Sequence, residues 1–268
     1  MRRSFVGIAF VTALLLMSIP SFAQTPPAAP AAPQAGARGA GAGGRGGPAA
    51  PANQPSARDD ARHKSFLEVA QRGNIDLLFV GDSITDWFFW PRGGAESAGL
   101  PVWNANFAPL KAANMAIAGD TTQGVLWRMQ NGELEGFKSK LIILMLGTNN
   151  INRNPNDEIV DGDRLIVEEF KKRQPQAKIL ILGIFPHVTP AGSSYTTGQF
   201  RAPITEINSK LEKLADNNKV FYMDIGSKFL NADGVLPADT FGDGLHPTAK
   251  GYQIWADAII DKVKTLMK

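Results

Sequence analysis

The chain has 268 residues, 44% of them hydrophobic and 20% charged, a balance that points to an ordinary soluble fold and away from a disordered or membrane-embedded class. It contains no cysteine, which excludes disulfides, thiolate metal ligands and thiol nucleophiles together. The formal charge of +3 arises ahead of residue 61, from Arg2, Arg3, Arg38, Arg45 and Arg58 against Asp59 and Asp60; 61–268 holds 23 basic and 23 acidic residues, so no nucleic-acid partner is expected.

Taken from the N-terminus, Arg2 and Arg3 precede an apolar run from Phe5 to Ile19, and Ser21-Phe22-Ala23 supplies small residues where a signal peptidase reads. Residues 1–23 are therefore predicted to be a signal peptide cleaved after Ala23, which places the protein in the periplasm or outside the cell. About 15 apolar residues fall short of the ~20 that span a bilayer as a helix, so no stable membrane insertion is expected after cleavage. Residues 24–60 are mostly Ala, Gly and Pro without an aromatic, and cannot bury enough apolar surface to offset the entropy of ordering. They are predicted to be a flexible tether, leaving one domain over 61–268, large enough to build its core without staples.

Within that domain, short apolar runs alternate with stretches of helical spacing, the pattern of an α/β fold. Ile75–Val80, Leu141–Leu146, Lys178–Ile184 and Lys219–Met223 read as buried parallel strands, with Asn114–Ala118 a weaker fifth. Helical spacing covers Thr122–Gln130, Asn156–Arg173, Gln199–Asp216 and Thr248–Met267. Thr248 is a plausible N-cap for the last, which sets Tyr252, Ile254, Trp255, Ala258, Ile259 and Val263 largely on one side, so Tyr252 and Trp255 are expected in the core.

Three strands run directly into polar turns: Gly81-Asp82-Ser83-Ile84-Thr85, Gly119 to Thr122, and Gly147-Thr148-Asn149-Asn150. Ligands bind at the carboxyl ends of strands in open α/β sheets, so these clusters converge on one edge. Each alone is ordinary turn chemistry. Together with Asp243 and His246 in a late Gly-rich loop they supply a nucleophile, a base, an acid and donors. Ser83 needs a base to take its proton, and His246, with Asp243 three residues before it, is the candidate, the carboxylate fixing the imidazole tautomer. His63 and His187 read as surface or loop histidines. The Ser83 and Gly119 backbone N–H groups and the Asn149 amide are candidate oxyanion donors.

The G-x-S-x-G elbow of α/β-hydrolases is absent, because Thr85 stands two residues after Ser83. The four blocks, GDSIT, NMAIAGDTT, LGTNN and DGLHP in that order, resemble the SGNH or GDSL-type esterase family. Gly119-Asp120-Thr121-Thr122, Val125-Leu126-Trp127-Arg128 and Asn131-Gly132-Glu133-Leu134 are most similar to its platelet-activating-factor acetylhydrolase-like branch. The resemblance covers about residues 75–265. It implies a flavodoxin-like three-layer α/β/α sandwich with five parallel strands, Ser83 as nucleophile, His246 as base, Asp243 as its acid, Ser83, Gly119 and Asn149 around the oxyanion, and no metal or organic cofactor. Two positions depart from the family: Asn150 where many members have Asp, and Thr85-Asp86-Trp87 in place of the Leu of the GDSL name.

The expected reaction is hydrolysis of a short-chain ester, with an acetylated glycan or small-molecule ester as substrate and a phospholipid-like acetyl ester as the second choice. Asp82, Trp87 and Asn150 are expected to face the substrate, and the run Trp87-Phe88-Phe89-Trp90 to serve as pocket wall or core. The loop from Pro186 to Gly198 is expected to shape access. Two alternatives belong to other classes: a catalytically silent carbohydrate- or lipid-binding domain, and a metal-dependent hydrolase built on Asp239, Asp243 and His246.

Overall fold

A computed structural model describes residues 49–89, 97–188 and 200–268. The predicted signal peptide, most of the predicted tether, Trp90 and most of the 186–198 loop lie outside these residues. Five parallel strands, β1 (Leu77–Gly81), β2 (Ala112–Asn114), β3 (Leu141–Met145), β4 (Lys178–Leu182) and β5 (Val220–Met223), form one sheet in the order β2-β1-β3-β4-β5. The central strands are apolar throughout because helices cover both faces. Leu78, Val80, Ile142, Leu144, Ile179 and Ile181 point to one face, and Leu77, Phe79, Leu141, Ile143, Leu180 and Leu182 to the other, the period-two alternation of a pleated strand.

On the first face pack α1 (Ala61–Arg72), α4 (Thr122–Gln130), α5 (Asn156–Arg173) and α6 (Arg201–Leu211), through residues such as Phe66, Val125, Ile166 and Ile207. On the second lie α3 (Leu100–Asn106) and α7 (Ala249–Leu266), the latter burying Tyr252, Trp255, Ile259 and Val263. Each fully buried side chain of this size contributes about 1.5–3 kcal/mol. The Thr248 hydroxyl caps α7 by accepting the Gly251 N–H at 3.3 Å, as its sequence predicts.

Several boundaries differ from the sequence reading. The weak strand sits at 112–114 and not 114–118, because Met115 onward already belongs to the turn that leads to Gly119. The α6 segment ends at Leu211 and tightens into a 3₁₀ turn over Glu212–Leu214. Helix α1, next to the predicted tether, and α3, which follows a Gly-Leu-Pro start, are additions to the helices expected from the sequence. The predicted tether is also too long: residues 50–60 are packed against the domain, Ala52 is fully buried, and the Asp60 carboxylate caps α1 by accepting the Arg62 and His63 N–H groups at 3.0 Å.

The chain leaves β1 for β2 on one side and returns to β3 on the other. That reversal marks the carboxyl ends of β1 and β3 as the place where such sheets bind ligands.

Candidate active site

Ser83 is the first residue of α2 (Ser83–Asp86), a single turn that follows β1. Asp82 caps the turn, its Oδ1 accepting the Ile84 N–H at 3.0 Å, and the Tyr252 hydroxyl from α7 donates to the Ile84 carbonyl at 2.9 Å. The serine is thus fixed from both sides. Opposite it, the loop before α7 closes on itself by a bridge between Phe241 and Pro247, and the Val188 N–H ties it to the β4 side by donating to the Gly244 carbonyl at 2.6 Å.

This closure brings the His246 Nε2 to 2.9 Å from the Ser83 Oγ, across 163 positions of sequence. The His246 Nδ1 lies 2.8 Å from the Asp243 Oδ2, while Asp243 Oδ1 accepts the backbone N–H groups of His246 (2.7 Å) and Leu245 (3.0 Å). Burial pushes the Asp243 carboxyl upward, but these three hydrogen bonds and the nearby imidazole outweigh it and hold the group well below the usual carboxylate range. An ionised acid facing Nδ1 leaves Nε2 as the lone-pair nitrogen toward the serine.

Gly119 has φ +78°, a conformation that costs side-chain-bearing residues energy, and a Cβ built there would meet nothing within 4 Å. Its backbone therefore borders open space beside Ser83's turn, as an oxyanion donor requires. Among the described residues neither the Ser83 nor the Gly119 N–H donates to another protein group. The Asn149 amide gives one N–H to the Asp120 carbonyl at 2.8 Å, which ties it to the Gly119 loop and leaves its second N–H for another acceptor.

Of the three expected substrate contacts, Trp87 is half-buried beside His246, while Asp82 and Asn150 lie inside the fold. Trp87 lies over the His246 imidazole, ring centroids 3.5 Å apart and planes 21° from parallel, so one indole face covers the histidine. Asp82 and Asn150 are both fully buried. Asn150 donates to the side chains of Gln123 (2.8 Å) and Asn154 (3.1 Å) and accepts the Thr122 N–H (3.0 Å), a set of bonds that suits a neutral amide and explains why Asp is not needed here. Burial, with Asp120 and Asp86 nearby, pushes the Asp82 carboxyl up to about 7 despite the Ile84 N–H. Of the aromatic run, Phe88 is core and Phe89 packs edge-on against Trp103 at the surface.

Both other histidines are buried: His63 lies in α1, and His187 sits in a loop as expected but inside the fold. His63 faces Glu133 at 2.8 Å, and His187, its Nδ1 3.2 Å from the Phe185 carbonyl, is pushed down to about 4 by burial. Two supporting ion pairs had no role in the sequence reading. Arg128 on α4, fully buried, donates twice to Asp120 Oδ2 (3.0 and 2.8 Å), to Glu133 and to the Met115 carbonyl. Asp86 accepts from Arg62 (2.6 Å) and from the Ala118 N–H (3.0 Å). Both pairs grip the segment 115–120 that ends in Gly119. The signal was present in the WR and NGEL motifs, but only the fold shows that their charges meet Asp120. Asp239 pairs with Lys250 at 2.7 Å, and among the described residues no three His, Asp or Glu side chains are grouped to hold one ion.

A hydroxyl, an imidazole and an ionised carboxylate in series at 2.9 and 2.8 Å are the groups that acyl transfer uses as nucleophile, base and acid. The chain belongs to the GDSL-like Lipase/Acylhydrolase family, whose model matches residues 79–254, and it is a carboxylic ester hydrolase. It is 34% identical over 197 residues to the platelet-activating factor acetylhydrolase IB subunit alpha2 of Rattus norvegicus, covering 72% of this chain and 77% of that one. In fold it is similar to a GDSL-like lipase from Bacteroides thetaiotaomicron (17% identity, TM-score 0.59, 76% of this chain and 97% of that one). It is also similar to Axe2, an acetylxylan esterase from Geobacillus stearothermophilus (21% identity, TM-score 0.54, 71% and 94%).

Proposed function

We propose that the protein is an exported serine esterase that removes short acyl groups, acetyl above all, from carbohydrates. The observation that carries the mechanism is the unbroken relay from Ser83 Oγ through His246 to Asp243, at 2.9 and 2.8 Å. Ser83 Oγ attacks the ester carbonyl carbon as its proton passes to His246 Nε2, and the oxyanion is held by the N–H groups of Ser83, Gly119 and Asn149. The C–O bond to the alcohol breaks, and the departing oxygen takes the proton from His246. Water then gives its proton to the same nitrogen, attacks the acyl-Ser83 ester and releases the acid with the serine restored. Asp243 stays ionised throughout and stabilises the transient imidazolium.

The acyl preference rests on a property shared by two relatives of different origin, since an acetylhydrolase and an acetylxylan esterase both act on acetyl esters by name. The carbohydrate class rests on the second of these and on the export signal read in residues 1–23. A phospholipid-like acetyl ester is the alternative, supported by the 34% identity to the acetylhydrolase subunit.

The test is hydrolysis of p-nitrophenyl acetate, butyrate and octanoate by the chain from residue 24 onward, followed by acetate release from acetylated xylooligosaccharide and from an acetyl glycerophospholipid. Rates that fall with chain length, vanish in Ser83→Ala and favour the oligosaccharide are the expected result. Equal rates in both proteins would remove the serine mechanism; preference for the phospholipid would move the substrate to the alternative class.

A further inference from the structure

Residues 50–58 precede the region that the family model matches, and they cross the N-terminal ends of α4 and α5. The Ala50 carbonyl accepts from the side-chain amides of Gln123 (2.8 Å) and Asn154 (2.9 Å), and the Ala52 carbonyl accepts the Thr122 hydroxyl (2.7 Å). The Ala52 N–H donates to Glu158 Oε2 (3.1 Å), and the Ser56 N–H to the Gln123 carbonyl (3.1 Å). The fit is close. Ala52 is fully buried, and a Cβ added at Gly162 on α5 would come within 2.5 Å of the Ala52 carbonyl oxygen and 2.8 Å of Thr122 Cβ.

The residues gripped on the outside are bonded inward to the site. The Thr122 N–H and the Gln123 and Asn154 side chains all meet the Asn150 amide, the neighbour of Asn149. Asn149 in turn donates to the carbonyl of Asp120, the neighbour of Gly119. One hydrogen-bonded network therefore runs from the leading segment to both loops that carry candidate oxyanion donors, and beside it Arg58 of the same segment lies 3.8 Å from Asp120 Oδ1.

We propose that residues 50–58 are a strap that holds the Gly119 and Asn149 loops at the spacing the oxyanion needs, a positioning element for the esterase reaction on which this inference rests. The two loops end different strands, and the bonds that join them run from Asn149 to the Asp120 carbonyl and between Asn150 and Thr122 and Gln123, the last two being residues the strap holds from outside. Reacting groups lose rate steeply when displaced by about 1 Å, roughly a hundredfold. A strap tied to both loops suppresses that displacement without touching substrate.

The experiment compares Ala52→Glu, which sets a carboxylate in a closed space beside Glu158, with the parent chain from residue 24. Thr122→Val, which deletes the bond to Ala52, is read against Thr122→Ser, which keeps the hydroxyl. The readouts are kcat and KM for p-nitrophenyl acetate and amide hydrogen exchange in 119–124 and 147–154. The expected result is a kcat at least about tenfold lower with KM within about threefold, faster exchange in those two segments, and recovery of most of the lost rate in Thr122→Ser. Faster exchange with unchanged kcat would make the strap a purely structural clasp and overturn the proposal, as would no change in either readout. If Ala52→Glu does not fold, the Thr122 pair decides. If the parent chain hydrolyses no ester, the esterase reading is what fails, and unchanged exchange in the two loops then overturns the strap on its own.

Discussion

At the scale of single residues, two side chains expected at the substrate bear on the site through other contacts: Trp87 through His246 and Asp82 through the fold. Trp87 stacks on the His246 imidazole, and a π face beside a forming imidazolium favours the charged ring by roughly 0.5–2 kcal/mol. On the proposed mechanism, in which neutral His246 is the base, the kcat/KM profile is expected to rise through the imidazole range, near 6–7, and to level off above it. Trp87→Leu should move that midpoint down by a few tenths of a unit to about one unit and lower kcat, with Trp87→Phe in between; an unmoved midpoint would return Trp87 to the substrate. Asp82 carries the second residue-scale prediction. Its carboxyl is pushed from 3.8 in the unfolded chain to about 7 in the fold, chiefly by burial, so the protonated form is the one the fold favours. The stability this confers is full below pH 4 and is lost as pH rises through about 7. Asp82→Asn keeps an acceptor for the Ile84 N–H and cannot ionise, so its Tm advantage over the parent should be largest at pH 8 and shrink toward pH 5. A pH-independent offset would show that Asp82 does not titrate there. Asp163 on α5, fully buried, has its carboxyl pushed well up by burial and by Asp82, and its Oδ1 has no hydrogen-bond partner among the described residues; it adds to the same trend.

At the scale of elements, α4 is the part that the site depends on most. Its first residues meet the strap and Asn150, and its Arg128 reaches Asp120, Glu133 and the Met115 carbonyl while wholly buried. Removing the cation leaves two buried carboxylates with only His63 beside Glu133 at 2.8 Å and Arg58 3.8 Å from Asp120. Arg128→Met should cost about 3–5 kcal/mol in urea unfolding, the range for breaking a buried pair by deleting one partner. A loss under about 1 kcal/mol would mean that Asp120 and Glu133 take up protons or water at little cost. The helices themselves were legible where the apolar period was long: Thr122–Gln130 and Asn156–Arg173 match their sequence ranges, and Thr248 caps α7. Helix α1 was missed although His63, Phe66 and Ala70 recur on one buried face, because it adjoins the Ala-, Gly- and Pro-rich stretch read as a tether, whose last residue, Asp60, is its cap.

At the scale of the molecule, one parallel sheet with apolar layers on both faces places every candidate group on a single edge, and this much follows from the sequence alone. Hydrophobic runs fixed the strands, and Gly, Asn and Ser at the strand ends marked where the chain must turn. The candidacy of Ser83, Asp243 and His246 was readable because few residue types can do that work, and the fold brings the three within hydrogen-bond distance in series. What only the tertiary structure decided was where the side chains between those landmarks point. The burial of Asp82, Asn150, His63 and His187, the meeting of Arg128 with Asp120, the Trp87 face on His246 and the docking of residues 50–60 all depend on partners 8 to more than 150 positions away. Local pattern carries periodicity and turn preference, which neighbouring residues set. It carries no record of which distant surface a short polar segment will meet, and an Ala-Pro-Asn stretch reads as a tether until the groove beside Gly162 is folded to receive it.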